Sequence, residues 1–594
     1  MKIIKYLYKI FAEQLRSKLN KVQYIIYVAV LTGLISGLIA VLLKKVVHYL
    51  QQWIEEIPAP PAYLVFPAVG LLITVFITIR FFHGAFARGI GMVLKSIAQK
   101  SSFIPLSHTY LHVITSAITV GVGGSVGLES PIVATGSAIG SNIGRINVLS
   151  YRDRSLMIAC GAAAGIAAVF NAPVAGVIFA IEVLMIETGV SYFIPLIIAA
   201  VIGALCSKII LDENILFNFI LTQNFNYRFV PLYIVLGILS GFTALYYARS
   251  FKRTEKRLHD WEANRYLKAL CGGLMLLLLC YTLPPLFGEG YVSIKQVATG
   301  EIARTTHRSY IFRYAGETWT LLIYAVSVVL LKPVAAGITI GAGGNGGNFA
   351  PSLFVGSFLG FSFSRLVNTT NLIQIPEGNF SLAAMAGVLS GVMYCPLTAI
   401  FLIAEITNGY ELFIPLMIVS SISYTIVKHF EPYSMETKDL ALKGEIFTHK
   451  KEQNILSTIS LDDVLDKTYE NISINTTAGD MIKIVNESIK TVFAVHDDEN
   501  LFVGILELND IKKLILQKDF QADAAIPALV KQAAEIIYYK DTVTSVMTKF
   551  DTTNSWHLPV LNAENKFLGF ISKSKLFDRY RMSLSENSDL YEGV

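Results

Sequence analysis

The sequence is short of charge. Only 16% of its 594 residues are Asp, Glu, Lys or Arg, against about a quarter in an average soluble protein. A soluble chain of this length would need more charge to cover its surface. The shortage comes with 53% hydrophobic residues and a mean hydropathy of +0.53. Together these exclude a soluble enzyme, a disordered protein and a fibrous one. A strong excess of one sign is missing too. The net charge of +5 gives no reason to expect a nucleic-acid partner. Cysteine is scarce: Cys160, Cys206, Cys271, Cys280 and Cys395 all fall in apolar segments, and no C-x-x-C pair occurs. That argues against a disulfide framework or a zinc site and predicts buried thiols. No histidine is followed by glutamate, so the H-E-x-x-H helix of an intramembrane metalloprotease is absent. His108 and His112 stand one helical turn apart, but no nearby carboxylate or cysteine completes a metal site, and a structural pair is expected.

Long apolar runs are what the chain has instead. They cover Val22–Leu43, Tyr63–Ile79, Phe193–Cys206, Phe229–Tyr247 and Ala269–Phe287. A helix needs about 20 such residues to cross the hydrocarbon core. Several runs qualify and others fall short. Lys2, Lys5, Lys9, Arg16, Lys18 and Lys21 crowd the chain before the first run, and positive flanks stay cytoplasmic. That run is too long for a signal peptide and lacks a small-residue cleavage site, so no cleaved signal is expected. After about Lys443 charges recur every few residues, as in Asp497-Asp498-Glu499, and the texture becomes that of a soluble tail.

The most informative feature is an internal repeat. Residues 127–140 read GLESPIVATGSAIG and residues 347–360 read GNFAPSLFVGSFLG. Gly127, Pro131, Gly136, Ser137 and Gly140 match Gly347, Pro351, Gly356, Ser357 and Gly360 at a constant offset of 220. A second pair follows at an offset of 223. FNAPVAGVIFAIE at 170–182 matches MYCPLTAIFLIAE at 393–405, with Pro173 on Pro396 and Glu182 on Glu405. Two halves in one membrane chain suit a transporter-like fold that binds its substrate at broken helices. Proline suits a first helical turn, and glycine lets the backbone enter that turn at unusual angles. The expected product is a set of helix N-termini inside the membrane, at Pro131, Pro173, Pro351 and Pro396. Free N–H groups and a partial positive charge make such an end attractive to an anion.

These residues carry a family resemblance. Gly127-Leu128-Glu129-Ser130-Pro131 resembles the GREGP motif of the CLC chloride channels and chloride/proton exchangers, and Gly347-Asn348-Phe349-Ala350-Pro351 resembles their GxFxP motif. Phe170-Asn171-Ala172-Pro173, followed by Glu182, is similar to the segment that ends near the family's inner proton pathway. The resemblance implies an all-α polytopic membrane protein with two inverted repeats and broken helices, followed by an α/β pair of CBS domains. It implies a homodimer with one anion path per protomer. It places the gating glutamate at Glu129, beside Gly127 and Ser130. A carboxylate among helix N-termini is held ionised there, and chloride competes for the same donors. An intramembrane carboxylate is costly and usually functional. The resemblance further implies anion ligands in the backbone amides of Phe349 and Ala350 and in the hydroxyl of Tyr433, within Glu431-Pro432-Tyr433-Ser434. Neutral donors of this kind bind weakly enough to permit release.

The sequence departs from the family pattern at three places. Where the family has a GSGIP motif this chain reads Ala87-Arg88-Gly89-Ile90-Gly91, so Arg88 replaces the central serine. Three readings of Arg88 stand open: it strengthens anion binding, it raises anion concentration at the cytoplasmic mouth, or it snorkels and pairs. Leu128 and Ser130 replace the arginine and second glycine of GREGP. Val183 stands where exchangers usually carry an inner proton-transfer glutamate. Val183 favours a passive channel, and Glu182 is expected to be a structural buried acid.

The tail divides into two similar units. Thr491–Val495 and Phe502–Leu506 read as strands around a turn at 497–500, with a helix from about Asn509. His557–Leu561 and Phe567–Ile571 repeat this around 562–565, with a helix from about Lys573. The pattern resembles a CBS pair. An adenine nucleotide is a candidate ligand, with Asp510 for the ribose hydroxyls, whereas Lys575 stands at the matching position of the second unit. The expected division is a cytoplasmic N-terminus 1–21, a membrane domain 22–443, a linker 444–459, and CBS domains at 460–517 and 518–594. The expected function is chloride permeation gated by voltage or pH in the cell (inner) membrane, with both the N-terminus and the tail cytoplasmic. No other cofactor is required. A proton-coupled exchanger is the alternative within the family. A CBS-containing cation transporter would need acids along a path, such as Glu182 and Glu405, but the helix starts favour an anion.

Overall fold

The computed structural model describes residues 14, 16–56, 62–82, 89–99, 102–184, 190–211, 225–299, 318–407, 409–442, 459–516 and 526–588. The chain divides into two compact units, Met1–Ile446 and Phe447–Val594.

The first unit is helical. Its first half runs α1 (Lys21–Glu55), α2 (Phe66–Phe82), α3 (Gly89–Gln99), α4 (His108–Gly121), α5 (Glu129–Ile146), α6 (Tyr151–Phe170), α7 (Pro173–Glu182) and α8 (Val190–Ile210). Its second half runs α9 (Val230–Asp260), α10 (Arg265–Thr282), α11 (Tyr291–Ala298), α12 (Thr318–Gly341), α13 (Phe349–Thr369), α14 (Glu377–Met393), α15 (Pro396–Ile406), α16 (Phe413–Phe430) and the short α17 (Lys438–Leu442). Among the described residues, eight helices are long and apolar enough to cross a membrane. Four are apolar but shorter, α7 and α15 among them. At about 1.5 Å per residue, α7 spans roughly half of the hydrocarbon core. These are the broken helices that the sequence predicts. Both open on proline at the first turn. Each follows a residue in the left-handed region, Asn171 (φ 53°) or Tyr394 (φ 59°), which ends the preceding helix and turns the chain.

The repeated glycines have a packing role. A Cβ at Gly136 would lie 2.2 Å from the Gly161 carbonyl, and one at Gly140 would lie 1.9 Å from that of Met157. In the second half, a Cβ at Gly356 would lie 2.5 Å from the Ala384 carbonyl, and one at Gly360 2.2 Å from that of Phe380. So α5 presses on α6 and α13 on α14 with nothing between the backbones, as small residues allow in membranes. Some 94% of the membrane-length part of α6 is buried by protein, so α6 faces neighbours rather than lipid.

The halves meet by exchanging equivalent contacts. Gly127 and Gly347 form an antiparallel bridge, with N–H···O distances of 2.9 and 2.8 Å. Upstream, the Thr119 hydroxyl accepts from the Asn345 amide at 3.1 Å, and the Thr339 hydroxyl accepts from the Ser125 amide at 3.2 Å. Both pairs sit at the offset of 220, so the repeat begins earlier than residue 127. The Glu182 carboxylate at the end of α7 accepts from the Leu397 and Thr398 amides at the start of α15, at 3.1 and 2.8 Å. The Glu405 carboxylate at the end of α15 accepts from the Val174 and Ala175 amides at the start of α7, at 3.0 and 2.8 Å. Each helix start therefore meets the other helix's end, and α7 and α15 run antiparallel.

The second unit holds α18 (Leu461–Val464), α19 (Ala478–Glu487), α20 (Leu508–Ile515), α21 (Val543–Thr553) and α22 (Lys573–Ser588). Its strands are β1 (Leu465–Asp466), β2 (Asn471–Ser473), β3 (Val492–His496), β4 (Phe502–Glu507), β5 (Ile537–Tyr538), β6 (His557–Leu561) and β7 (Phe567–Ser572). They form sheets of order β2-β3-β4 and β1-β7-β6-β5. In each, a short strand pairs parallel with the first arm of a hairpin, and each hairpin carries one register shift. Asn500 and Asn565 take left-handed conformations in the two hairpin turns, which asparagine tolerates. The sequence places β3, β4, β6 and β7 correctly within a residue or two. It does not foresee β1, which precedes the first repeat yet joins the second repeat's sheet, Leu465 opposite Ile571.

Candidate functional site

Glu129 is the first residue of α5 and is 1% exposed. The Gly123–Gly127 stretch brings it in under tight constraint. Gly123 has φ 101°, and a Cβ at Gly127 would lie 2.1 Å from the Glu129 carboxylate and 2.8 Å from the Ala350 Cβ. Only glycine leaves that space. The carboxylate then reaches across the repeat boundary. Its Oε2 accepts from the Ala350 amide at 3.3 Å, in the first turn of α13. Its Oε1 accepts from the Tyr291 hydroxyl at the start of α11. Phe349 is buried beside them. Its ring packs on Phe170 at 5.6 Å and edge-on to Phe179 at 6.2 Å.

A second set of buried charges surrounds this carboxylate. Glu289, between Gly288 (φ 66°) and Gly290 (φ 89°), accepts from the Leu128 amide at 3.1 Å. Lys44, from the middle of α1, donates to the Val169 carbonyl and interacts electrostatically with both Glu289 and Glu129. Lys332, in α12, is fully buried. Its ammonium donates to the Gly288 carbonyl at 2.9 Å and lies 4.7 Å from the Phe354 ring centroid. Two acids and two lysines are thus gathered away from water. None of Tyr291, Glu289, Lys44 or Lys332 is expected from the sequence alone. None belongs to a repeated motif, and only the fold brings them together.

The four expected helix ends part into two kinds. The starts of α7 and α15 are occupied by Glu405 and Glu182, so their donors are not open to an anion. This corrects the expectation at Pro173 and Pro396. The glutamates repeated with those prolines supply the negative charge that the helix ends attract. The starts of α5 and α13 converge at Glu129, through the Gly127–Gly347 bridge.

Ser130 is buried against Gly347, where a Cβ would lie 2.5 Å from the serine Cβ. Tyr433 is half-buried in the turn between α16 and α17. That turn approaches α3: the Glu436 carbonyl lies 3.2 Å from where a Cβ on Gly91 would be. The Asn348 side chain bonds to Glu436 and accepts from the Tyr247 hydroxyl at 3.1 Å, which ties the turn to the start of α13. Arg88 and most of the 444–459 segment lie outside the described residues. Val183 caps α7 and is 7% exposed. His108 and His112 lie 3.2 Å apart through their ring nitrogens, and His112 is buried against Asn345. Among the described residues, no cluster of His, Cys, Asp or Glu is placed to hold a metal. Cys271 is half-buried, and the other four thiols are buried. In the tail, Asp510 opens α20 and pairs with Lys531 at 2.5 Å.

A polytopic helical protein whose halves clasp a buried carboxylate with paired helix N-termini is built as an anion-handling membrane protein. The family model described as "Voltage gated chloride channel" matches residues 70–428, more than half the chain. The chain belongs to this CLC family, which transports anions. It is 24% identical over 558 residues to chloride channel protein CLC-e of Arabidopsis thaliana, covering 82% of this chain and 75% of that protein. It is 27% identical over 418 residues to the H(+)/Cl(-) exchange transporter ClcA of Vibrio vulnificus, covering 67% and 85%. The fold matches a slow cyanobacterial Cl-/H+ antiporter with TM-score 0.61 at 21% identity, over 72% of this chain and 98% of the other. It also matches a eukaryotic CLC transporter with TM-score 0.59 at 17% identity, over 96% and 98%.

Proposed function

We propose that this protein carries chloride, or an anion of similar size, along a path in each protomer that the Glu129 carboxylate closes. One observation carries the reading. Glu129 crosses from the first repeat to take an amide at the helix start of the second, and an anion would need that same donor. Protonation removes the charge that holds the carboxylate there, so acid should open the path. We further infer passive permeation. The residue after Glu182 is a buried valine with no proton to exchange, and Glu182 is fully engaged as a cap. Proton-coupled exchange is the second reading, favoured by relatives and fold neighbours named as exchangers or antiporters.

The rest of the assignment follows the same frame. The protein works as a homodimer in the cell (inner) membrane, and the exposed apolar residues Leu397, Ile414 and Met417 offer a face for a second copy. The N-terminus and tail face the cytoplasm. The tail, with domains at 460–517 and 518–594, is a CBS pair. For an adenine nucleotide to use Asp510, its ribose must displace Lys531.

The test is reconstitution of the full-length protein in liposomes with a chloride gradient, recording anion efflux and proton movement together. Efflux without proton movement is expected. Proton uptake driven by chloride would replace the channel reading with the exchange reading. No anion flux would remove both. Glu129→Gln should raise flux and flatten its pH response. An unchanged response would take Glu129 out of the gate.

A further inference from the structure

We infer that the Tyr291 hydroxyl is itself a ligand of the transported anion, in the position the Glu129 carboxylate now fills. The inference rests on reading Glu129 as the gate, and it adds a donor that neither the repeat motifs nor the tail of the membrane domain supplies.

The carboxylate is an anion already seated in the path. Its two oxygens are held by two neutral donors, the Ala350 amide and the Tyr291 hydroxyl. Both donors belong to elements other than α5, so both stay when the Glu129 side chain leaves. Both already hold one negatively charged group at this place, and both are donors suited to another. A monovalent halide arriving there would satisfy both. Neutral donors hold it without the tight grip of a cation, as passage requires.

The phenol is braced for this task. Its ring stands edge-on to Phe170 at 6.2 Å and 89°. Phe170 in turn packs on Phe349, the residue before Ala350, so one aromatic set steadies both donors. The backbone is clamped just upstream. The Glu289 carboxylate takes the Leu128 amide and the Gly288 carbonyl takes Lys332. A Cβ on Gly290 would lie 2.4 Å from the Phe354 ring, which leaves this turn little room to shift. A tyrosine that served only to neutralise Glu129 would not need such anchoring.

The test removes the carboxylate first. In a Glu129→Gln background the gate's charge is gone, so the contribution of the Tyr291 hydroxyl to anion binding is read without competition from a carboxylate. Chloride binding to the full-length protein is titrated by isothermal calorimetry, with and without Tyr291→Phe, which keeps the ring on Phe170. Loss of one hydrogen bond to a charged group should weaken chloride binding about tenfold. An unchanged dissociation constant would overturn the inference while leaving the gate intact. Failure of the gate reading would show separately, as a Glu129→Gln protein whose flux and pH response match the wild type. Tyr291→Gln guards against misfolding of the phenylalanine variant. A neutral donor should restore part of the affinity, and a loss equal to that of phenylalanine would also overturn the inference.

Discussion

The exchange of glutamates between α7 and α15 makes a sharp prediction, because it sets a structural role for Glu182 against a proton-carrying one. Glu182 accepts from the Leu397 amide at 3.1 Å, the Thr398 amide at 2.8 Å and the Thr398 hydroxyl at 2.7 Å. A hydrogen bond to a charged group contributes about 1.5–3 kcal/mol, and a charge at a helix end about 0.3–1 kcal/mol more. The bonds share one carboxylate and do not add fully. Glu182→Ala should therefore cost about 3 kcal/mol, and Glu182→Gln, which keeps an acceptor oxygen, about 1 kcal/mol. Glu405→Ala removes the bonds to two amides and no hydroxyl, and should cost about 2 kcal/mol. The assay heats the detergent-solubilised full-length protein in steps and measures the surviving dimer peak by size exclusion. Flux per folded protein is then measured in liposomes. Melting should fall in the order wild type, Gln, Ala, with flux per folded protein unchanged. A Glu182→Gln protein that melts like the wild type but loses a proton current would refute the cap and make Glu182 a proton carrier.

Three other outcomes follow from the same geometry. Gly140→Val should prevent folding, because the Cβ alone meets the Met157 carbonyl at 1.9 Å, whereas at Gly144 an added Cβ meets the flexible Arg154 side chain at 3.1 Å and alanine should be tolerated; yield of monodisperse protein separates them. Lys44→Met should destabilise, because it removes the bond to the Val169 carbonyl and the cation that faces Glu289 and Glu129 electrostatically, and adding Glu289→Gln should recover part of the loss in the same melting assay; a double variant worse than the single would show that the two do not share charge. In the tail, burial opposes ionisation of Asp466, but bonds from the Thr468 hydroxyl and amide and from Lys490 outweigh it and hold the carboxyl at about 2, below its ordinary 3.8. Its contribution is therefore complete above about pH 4 and lost as pH falls toward 2. Amide exchange at Ile571, opposite β1, should accelerate over that window in the wild type and not in Asp466→Asn.

Much of this was legible in the sequence because repetition exposes what both halves need. The paired motifs marked the starts of α5 and α13, and the Pro173 and Pro396 pair marked the two short helices. Two hairpins in the tail were readable from runs of β-branched and aromatic residues around polar turns. What stayed hidden was of two sorts. The partner of a repeated residue could not be read: Glu182 and Glu405 announced themselves as a pair, but not that each caps the other's helix. The glycines at 136, 140, 356 and 360 showed only as matched positions of the repeat, and only a backbone at contact distance shows them as packing surfaces. Unrepeated residues gave no signal at all. Lys44 directly follows the longest apolar run, where with Lys45 it reads as the charged end of a span, and Lys332 sits in a helix that otherwise reads as a plain span.

That division has a physical reason. Contacts made twice, once from each half, build the frame: the Gly127–Gly347 bridge, the Thr119 and Thr339 hydroxyls, the exchanged glutamates. A frame made this way is locally symmetric, and a symmetric pair of helix starts offers an anion two equal places to sit. The gate proposed at Glu129 is where this tie is broken. The matched positions are 129 and 349, glutamate in one half and phenylalanine in the other. The first supplies the charge, and the second supplies the apolar wall that keeps water from competing for it. Tyr291, Glu289, Lys44 and Lys332 have no counterparts in the repeat motifs. They stand around Glu129, the one position of the first motif pair where the halves differ in charge, which is where a symmetric scaffold has to be made directional.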